Sequence, residues 1–401
     1  MTVGFGVVPT ARLSQAEAVS EIKPFRIAIP QADLDDLAYR LAHTRYVAEL
    51  PAREIAGRVY PGVPVRPGWE YGVPLSFVRP LHEYWRDSFD WRAQERRLNA
   101  FPQYTTEIDG QTIHFVHVTS PEPDAMPLLL AHGWPSSFTE FLGLVGELTD
   151  PRAHGGDPSD AFHVVIPSYP GFAFSGPTHT AGWRPTRMAA AFDELMNRLG
   201  YDRYGVHGND CGAIVAPELG RFAPDRVVGV HVTQLYSFPR REPGELDGLS
   251  EYELILLYFG QKFRAHAIHN ATQQAQPQTL GHALSDSPVG QLAWSGQALV
   301  NAMSTDELLT NVAIYWFTNS SAPAARFYFE HHRSTEATKP TSVPIGLASF
   351  GFDFKPPRKF AERDHRNLVQ WHEYDRGGHW AAHETPDLLL ADLRGFFKKV
   401  I

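Results

Sequence analysis

The feature that most restricts the fold is a succession of short apolar runs, each ending in a loop that carries polar residues or glycine. They fall at 127–131, 162–167, 204–207, 227–232, 343–350 and 368–374, and helical patterns such as 188–199 separate several of them. Parallel strands need a crossover longer than a tight turn, usually a helix, so this alternation predicts an α/β fold on a mainly parallel sheet. Ahead of it, two alternating runs over 104–118 flank Asp109-Gly110, which predicts a hairpin. The alternation stops between about 236 and 340, where helix-like, His- and Gln-rich sequence reads as an insertion. The core therefore divides into 103–235 and 341–401. Residues 1–21 read as a leader. Residues 22–102, rich in Pro, Arg and aromatics with a helical patch at 31–41, read as an extension that wraps the rest.

Composition narrows the function classes. The chain has 401 residues, enough for a large core, and a formal charge of −9 with no basic run, which argues against a nucleic-acid surface. No apolar run is long enough for a bilayer and no signal peptide is legible, so no membrane partner is expected. The single cysteine, Cys211, cannot form an internal disulfide and fits a cytoplasmic location. The 29 Arg against 7 Lys suggest a bacterial source. A homodimer is compatible with the sequence.

Three stretches carry chemistry. In Tyr204-Gly-Val-His-Gly-Asn-Asp-Cys-Gly212 an apolar strand runs into small–x–Asp–x–small and then a helix, the shape of a nucleophile elbow with Asp210 in the serine position. Taken alone it is equally an ordinary glycine-rich turn. His132-Gly-Trp-Pro135 closes an early strand, where such a loop can aim the backbone N–H of Trp134 into a site as half of an oxyanion hole, with Cys211 N–H as the other half. His379, in the glycine-rich Arg376-Gly-Gly-His379 after the last strand, stands where a general base belongs; His372 falls within the strand and His383 in the following helix. Between elbow and histidine, Asp353 lies among phenylalanines just beyond a strand, a buried carboxylate that calls for a partner such as His379. His266, His269 and the pair His331-His332 lack the Cys or acidic companions of a recognisable metal spacing, so neither metal nor cofactor is expected.

With these stretches in place, the chain resembles an epoxide hydrolase of the microsomal-type branch from about Lys23 to its end. The marks are Trp91-Arg-Ala-Gln-Glu95, Phe101-Pro-Gln-Tyr104, Ile108-Asp-Gly110, His132-Gly-Trp-Pro135, Ser168-Tyr-Pro-Gly-Phe-Ala-Phe-Ser175, Leu284-Ser-Asp-Ser-Pro-Val-Gly290 and Arg376-Gly-Gly-His-Trp-Ala-Ala382. The resemblance implies an α/β-hydrolase fold with a helical cap and an N-terminal extension. It also implies Asp210 as nucleophile, His379 as base, Asp353 as its orienting acid, and Tyr328 as one of two cap donors to the epoxide oxygen. At the second donor position this chain has His269 where the family carries tyrosine, with Tyr258 as the alternative. The elbow departs too, with Asn209 and Cys211 where such enzymes often carry Gly and Trp. The implied reaction adds water to an epoxide, giving a vicinal diol through a covalent aspartyl ester. Cap aromatics such as Tyr252, Tyr258, Phe259, Phe263, Trp294 and Trp316 either line a pocket or form core. Tyr258 and Trp316 are the expected substrate contacts, and a bulky aromatic or natural-product epoxide of secondary metabolism is the expected substrate. A haloalkane dehalogenase uses the same aspartyl ester, but the missing tryptophan after Asp210 and the presence of Tyr328 count against it. A non-catalytic small-molecule binder has little reason to hold nucleophile, acid and base together.

Overall fold

The computed structural model describes residues 21–49, 68–69, 71–334 and 339–401, with the side chains of 262–266 left aside. The leader read at 1–21 lies almost wholly outside the described residues, as does 50–67 of the extension.

The strands are β1 (Lys23–Phe25), β2 (Gln103–Ile108), β3 (Gln111–Val118), β4 (Met126–Ala131), β5 (Phe162–Pro167), β6 (Tyr204–Gly208), β7 (Val227–Val232), β8 (Ile345–Ser349) and β9 (Leu368–Glu373). They form one sheet in the order β1-β2-β3-β5-β4-β6-β7-β8-β9. Pairing is antiparallel from β1 to β5 and parallel from β5 through β4 to β9. Every residue of β6 and β8 is buried. Strands covered on both faces carry unbroken apolar runs, which is why they could be read directly from the sequence. The β2–β3 turn places Asp109 and Gly110 at φ +52° and +67°, the left-handed pair that matches the twist of a two-residue hairpin. β1 had no signal of its own; three residues become a strand only because Gln103–Thr105 offer them an open edge.

The extension supplies α1 (Gln31–Ala42), α2 (Leu75–Asp87) and α3 (Trp91–Leu98). Its entering strand is tied to α3: Ile27 N–H and C=O both bond the Asn99 amide, at 2.9 and 2.8 Å, and Ile29 N–H donates to Glu95 at 2.8 Å. The core adds α4 (Val145–Thr149), α5 (Pro185–Arg198) and α6 (Cys211–Phe222). Between β7 and β8 the described residues form six α-helices and no strand: α7 (Glu251–His266), α8 (Ile268–Ala275), α9 (Pro277–Leu284), α10 (Pro288–Leu299), α11 (Thr305–Phe317) and α12 (Ser321–His332). The core ends with α13 (Arg358–Asp364), α14 (Ala381–Glu384) and α15 (Pro386–Val400). The cap is anchored where it meets the loop after β4. Tyr315 donates to Ser136 O at 2.8 Å, and the Ser137 and Thr139 hydroxyls donate to Asn311 at 2.7 and 2.9 Å. Among the described residues no helix is long and apolar enough to cross a membrane.

Beneath the sheet, Asp392 of α15 fastens two strands and the chain that follows β9. Its fully buried carboxylate accepts from His231 at 2.8 Å and from Gln370, His372 and Tyr374 at 2.5 Å each. Burial alone pushes this pKa up, but the hydrogen bond and charge of His231, with the bonds from Tyr374 and His372, hold it well below the usual carboxylate range. A depressed pKa contributes stability above the unfolded value near 4, and that contribution fades as pH falls below it. Asp392→Ala should therefore lose about 3 kcal/mol or more at neutral pH, because it strands several buried donors. In urea titrations the gap to wild type should stay constant from about pH 5 to 8 and narrow below about pH 4. A gap that widens on acidification would contradict this account.

Candidate active site

The site is built on a backbone that most residues avoid. Asp210 has φ +52° and ψ −112°, between the end of β6 and the first residue of α6. The turn closes because glycines let backbones touch: a Cβ on Gly208 would lie 2.2 Å from Gly212 O, and one on Gly212 would lie 1.8 Å from Ala131 O. No side chain fits at either position. The result is a carboxylate lifted above the sheet at the opening of a helix, whose N-terminal end favours negative charge.

Three elements converge on that carboxylate. From the loop after β4, Trp134 N–H donates to Asp210 Oδ1 at 2.9 Å. Cys211 opens α6, so its N–H belongs to the first-turn group that no helical carbonyl accepts from. From the loop after β9, His379 Nε2 stands 3.3 Å from Asp210 Oδ2, while its Nδ1 lies 2.9 Å from Asp353 Oδ1. Asp353, beyond β8, also accepts from Phe354 N–H at 2.7 Å and from the Gln234 amide. The structure thus brings Asp210, His379 and Asp353 into one hydrogen-bonded line.

The electrostatics follow from this line. Burial favours a neutral His379, yet the Asp353 charge and the hydrogen bonds to Asp210 and Asp353 carry its pKa well above 6.5. Burial likewise opposes an ionised Asp210, but the bond and charge of His379, then Trp134 N–H, bring it down to about 2. Asp210 is therefore a carboxylate at any ordinary pH. His132 cannot compete as a base: it is fully buried and burial lowers it to about 4.

Over Asp210 stands an aromatic box. His269 of α8 stacks on Trp134, with centroids 5.4 Å apart, and Tyr328 of α12 meets both rings edge-on, at 5.9 and 6.4 Å. The Cys211 thiol is 4.0 Å from the Tyr328 hydroxyl. Burial, then the neighbouring Cys211 and Asp210, push the Tyr328 pKa far up, so its O–H keeps its proton. Burial lowers the His269 pKa and outweighs the Asp210 charge, so at neutral pH it is a neutral ring with one N–H to offer.

Two expected substrate contacts lie elsewhere. Trp316 packs against the extension, with the Arg40 guanidinium 5.5 Å from its ring, because α11 turns that position outward while Tyr315 faces the site loop. Tyr258 stands on α7, 41% exposed, beside the Phe259 ring. His372 belongs to the Asp392 cluster, and His383 lies 4.0 Å from Glu307. Among the described residues no group of three or more His, Cys, Asp or Glu is placed to hold a metal ion.

Sequence reasoning missed the polar groups behind the triad: Gln234, Glu140 and Tyr236. Gln234 is fully buried just past β7, where strand-end loops of such sheets build sites. That placement was the available signal. Glu140 is a lone acid inside an apolar run. It accepts from Gly133 N–H at 2.9 Å and the Asn209 amide at 2.8 Å, and burial raises its pKa to about 8. The Tyr236 hydroxyl is held protonated by burial and then by the charges of Asp210 and Asp353. Between the cap and the core, a cleft of about 530 Å³ opens among α8, α9, α12 and the segment leading into α5, with Phe327 and Phe329 of α12 among its lining.

Residues 22–141 match the family described as epoxide hydrolase N terminus, and 126–282 match the alpha/beta hydrolase fold. The chain is 41% identical to a putative epoxide hydrolase of Stigmatella aurantiaca, over 94% of this chain and 85% of that protein. It is 33% identical to epoxide hydrolase 1 of Sus scrofa, over 97% and 91%. Among solved structures it is similar to an Aspergillus niger epoxide hydrolase, with a TM-score of 0.81, 31% identity, and 95% and 97% of the two chains covered. It is also similar to a juvenile hormone epoxide hydrolase of the silkworm Bombyx mori, with a TM-score of 0.82, 25% identity and 95% of each chain covered.

The charge arrangement is measurable without substrate. Asp210→Asn removes one of the two carboxylates that raise His379, so the imidazole should titrate at lower pH than in wild type when followed by NMR. An unchanged midpoint would show that Asp210 does not act on His379 as the geometry requires.

Proposed function

This chain belongs to the epoxide hydrolase family of α/β-hydrolases, and we propose that Asp210, His379, Asp353, Tyr328 and His269 carry out its two-step reaction. The reaction converts an epoxide and water to a diol through an aspartyl ester. The observation that supports the assignment is one Asp210 carboxylate held by Trp134 N–H and His379 beneath a box containing the Tyr328 and His269 donors.

Oδ1 of Asp210 is already bound by a backbone N–H, so Oδ2 is the attacking atom. It bonds to a ring carbon, the carbon–oxygen bond breaks, and the departing oxygen takes a hydrogen bond or proton from Tyr328 and His269. Ester formation removes the Asp210 charge, and with it part of what holds His379 protonated. His379 then gives up that proton to solvent, and the neutral imidazole, oriented by Asp353, takes a proton from water as the hydroxide adds to the ester carbonyl. That oxygen is Oδ1, which already accepts from Trp134 N–H, and Cys211 N–H in the open first turn of α6 is the candidate second donor to the tetrahedral oxyanion. Collapse breaks the bond from the carbonyl carbon to the substrate oxygen, which takes the proton from His379, returning the carboxylate and releasing the diol.

His269 serves better than Tyr258 as the second donor, because its ring stacks beside Tyr328 while Tyr258 stands on the outer helix. The Trp134 and Tyr328 rings that stand over Asp210 support an aromatic or otherwise apolar epoxide. The extension match supports the microsomal-type branch, and the arginine-rich composition supports a bacterial source. The lone buried cysteine is consistent with the cytoplasm. A homodimer is testable by light scattering.

Mixing His379→Gln with an aryl epoxide such as styrene oxide should give protein heavier by one substrate mass and little diol. Asp210→Asn should give neither. Diol formation near the wild-type rate by Asp210→Asn, with deamidation excluded by mass, would end the assignment.

For the donors, Tyr328→Phe should slow alkylation about ten- to hundred-fold, the worth of a hydrogen bond to developing charge. Because His269 is neutral, wild-type alkylation should not fall between about pH 7 and 9, and His269→Ala should lower it across that range. A wild-type rate that drops as an imidazolium titrates would mean that His269 acts charged. Alkylation by His269→Ala at the wild-type rate would remove it from the site.

A further inference from the structure

We infer that Gln234 is a positioning residue that locks the nucleophile's backbone to the acid Asp353 and so sets the rate of ester hydrolysis. The inference rests on the two-step reading above.

One fully buried amide makes three contacts. Gln234 Oε1 accepts Asp210 N–H at 2.9 Å; its Nε2 donates to Asn209 Oδ1 at 2.8 Å and to Asp353 Oδ2. Both ends of the side chain are committed. A flipped amide would set N–H against the Asp210 N–H and carbonyl oxygen against a carboxylate, so only one orientation is tolerated. Gln234 thereby touches both the strained peptide of the elbow and the carboxylate that aims His379.

The contact closes a ring. From Gln234 the bonds run through Asn209 to Glu140 at 2.8 Å, and from Glu140 to Gly133 N–H at 2.9 Å. The adjacent Trp134 N–H meets Asp210 Oδ1, and His379 links Asp210 to Asp353, which returns to Gln234. Asn209 is locked within it, since its Oδ1 also accepts the Thr233 hydroxyl at 2.5 Å. Asn209 was one of the two departures at the elbow, and Gln234 is what holds it.

The two half-reactions depend on this ring unequally. Alkylation needs Oδ2 of Asp210 and the cap donors. Hydrolysis needs His379 and the carbonyl carbon of Asp210 in register, and Gln234 fixes both sides of that relation.

The test compares Gln234→Met, which keeps length and loses every polar contact, with Gln234→Glu, which keeps an acceptor for Asp210 N–H. Single-turnover mixing with styrene oxide gives alkylation from intact-protein mass and hydrolysis from diol. Gln234→Met should alkylate nearly as fast as wild type, hydrolyse about tenfold or more slowly, and accumulate adduct, with kcat and KM falling together. In Gln234→Glu a protonated carboxyl can still donate to Asp353, but an ionised one repels it. Its hydrolysis should therefore fall as pH rises, a limb that wild type lacks and that a merely structural residue would not create. Equal slowing of both steps in Gln234→Met, or no change in either, overturns the inference, as does a wild-type pH profile in Gln234→Glu. If Gln234→Met fails to fold, the Gln234→Glu profile decides alone. Failure of His379→Gln to trap an adduct would instead refute the two-step reading; a trapped adduct with Gln234 variants indistinguishable from wild type would refute only this inference.

Discussion

The backbone of Asp210 sits at φ +52°, a region that costs a residue with a side chain on the order of 1–3 kcal/mol. Such a conformation persists only where its surroundings over-determine it. Here the surroundings are the close approach of Gly208 to Gly212 and of Gly212 to Ala131, with the Asp210 N–H captured by Gln234. The strain has a use. It carries the carboxylate off the end of β6 and points it where the loops after β4 and β9 reach it through Trp134 and His379, so the rest of the site is arranged around this one peptide.

The second constraint is charge. His379 stands between two carboxylates, and their combined field is what outweighs the cost of burying an imidazolium. In the reaction we propose for this site, His379 would be held protonated while Asp210 is an anion and freed to act as the base once Asp210 becomes an ester. The neutral His269 and the protonated Tyr328 fit the same logic from above, since neither places a further negative charge over the Asp210 anion.

The cap completes the site by position alone. α8 and α12 hang His269 and Tyr328 over Trp134, and α11 is pinned to the loop after β4 through Tyr315 and Asn311. The same loop supplies Trp134 N–H. A shift of the cap would therefore be felt at the Trp134 N–H bond to Asp210 as well as at the two rings.

The buried strands, the hairpin turn, the elbow, the His132-Gly-Trp-Pro loop and the positions of Asp353 and His379 were all legible in the sequence. Each depends on local chemistry: continuous apolar runs for strands covered on both faces, left-handed φ at Asp109-Gly110, and glycines where backbones touch. What the chain could not reveal alone were contacts between residues far apart in it. Trp316 and Tyr315 are neighbours on α11, yet one faces Arg40 and the other Ser136, and only the packing of the helix decides which. Likewise it is helix packing that sets the His269 ring against Trp134. Gln234 was silent, because a glutamine past a strand acquires meaning only when Asp210, Asn209 and Asp353 close around its amide. The sequence by itself determined the residue types and the strained turn, which are properties of neighbouring residues. The tertiary structure decided which polar groups share a buried bond, because that depends on distances across the sheet that no local pattern encodes.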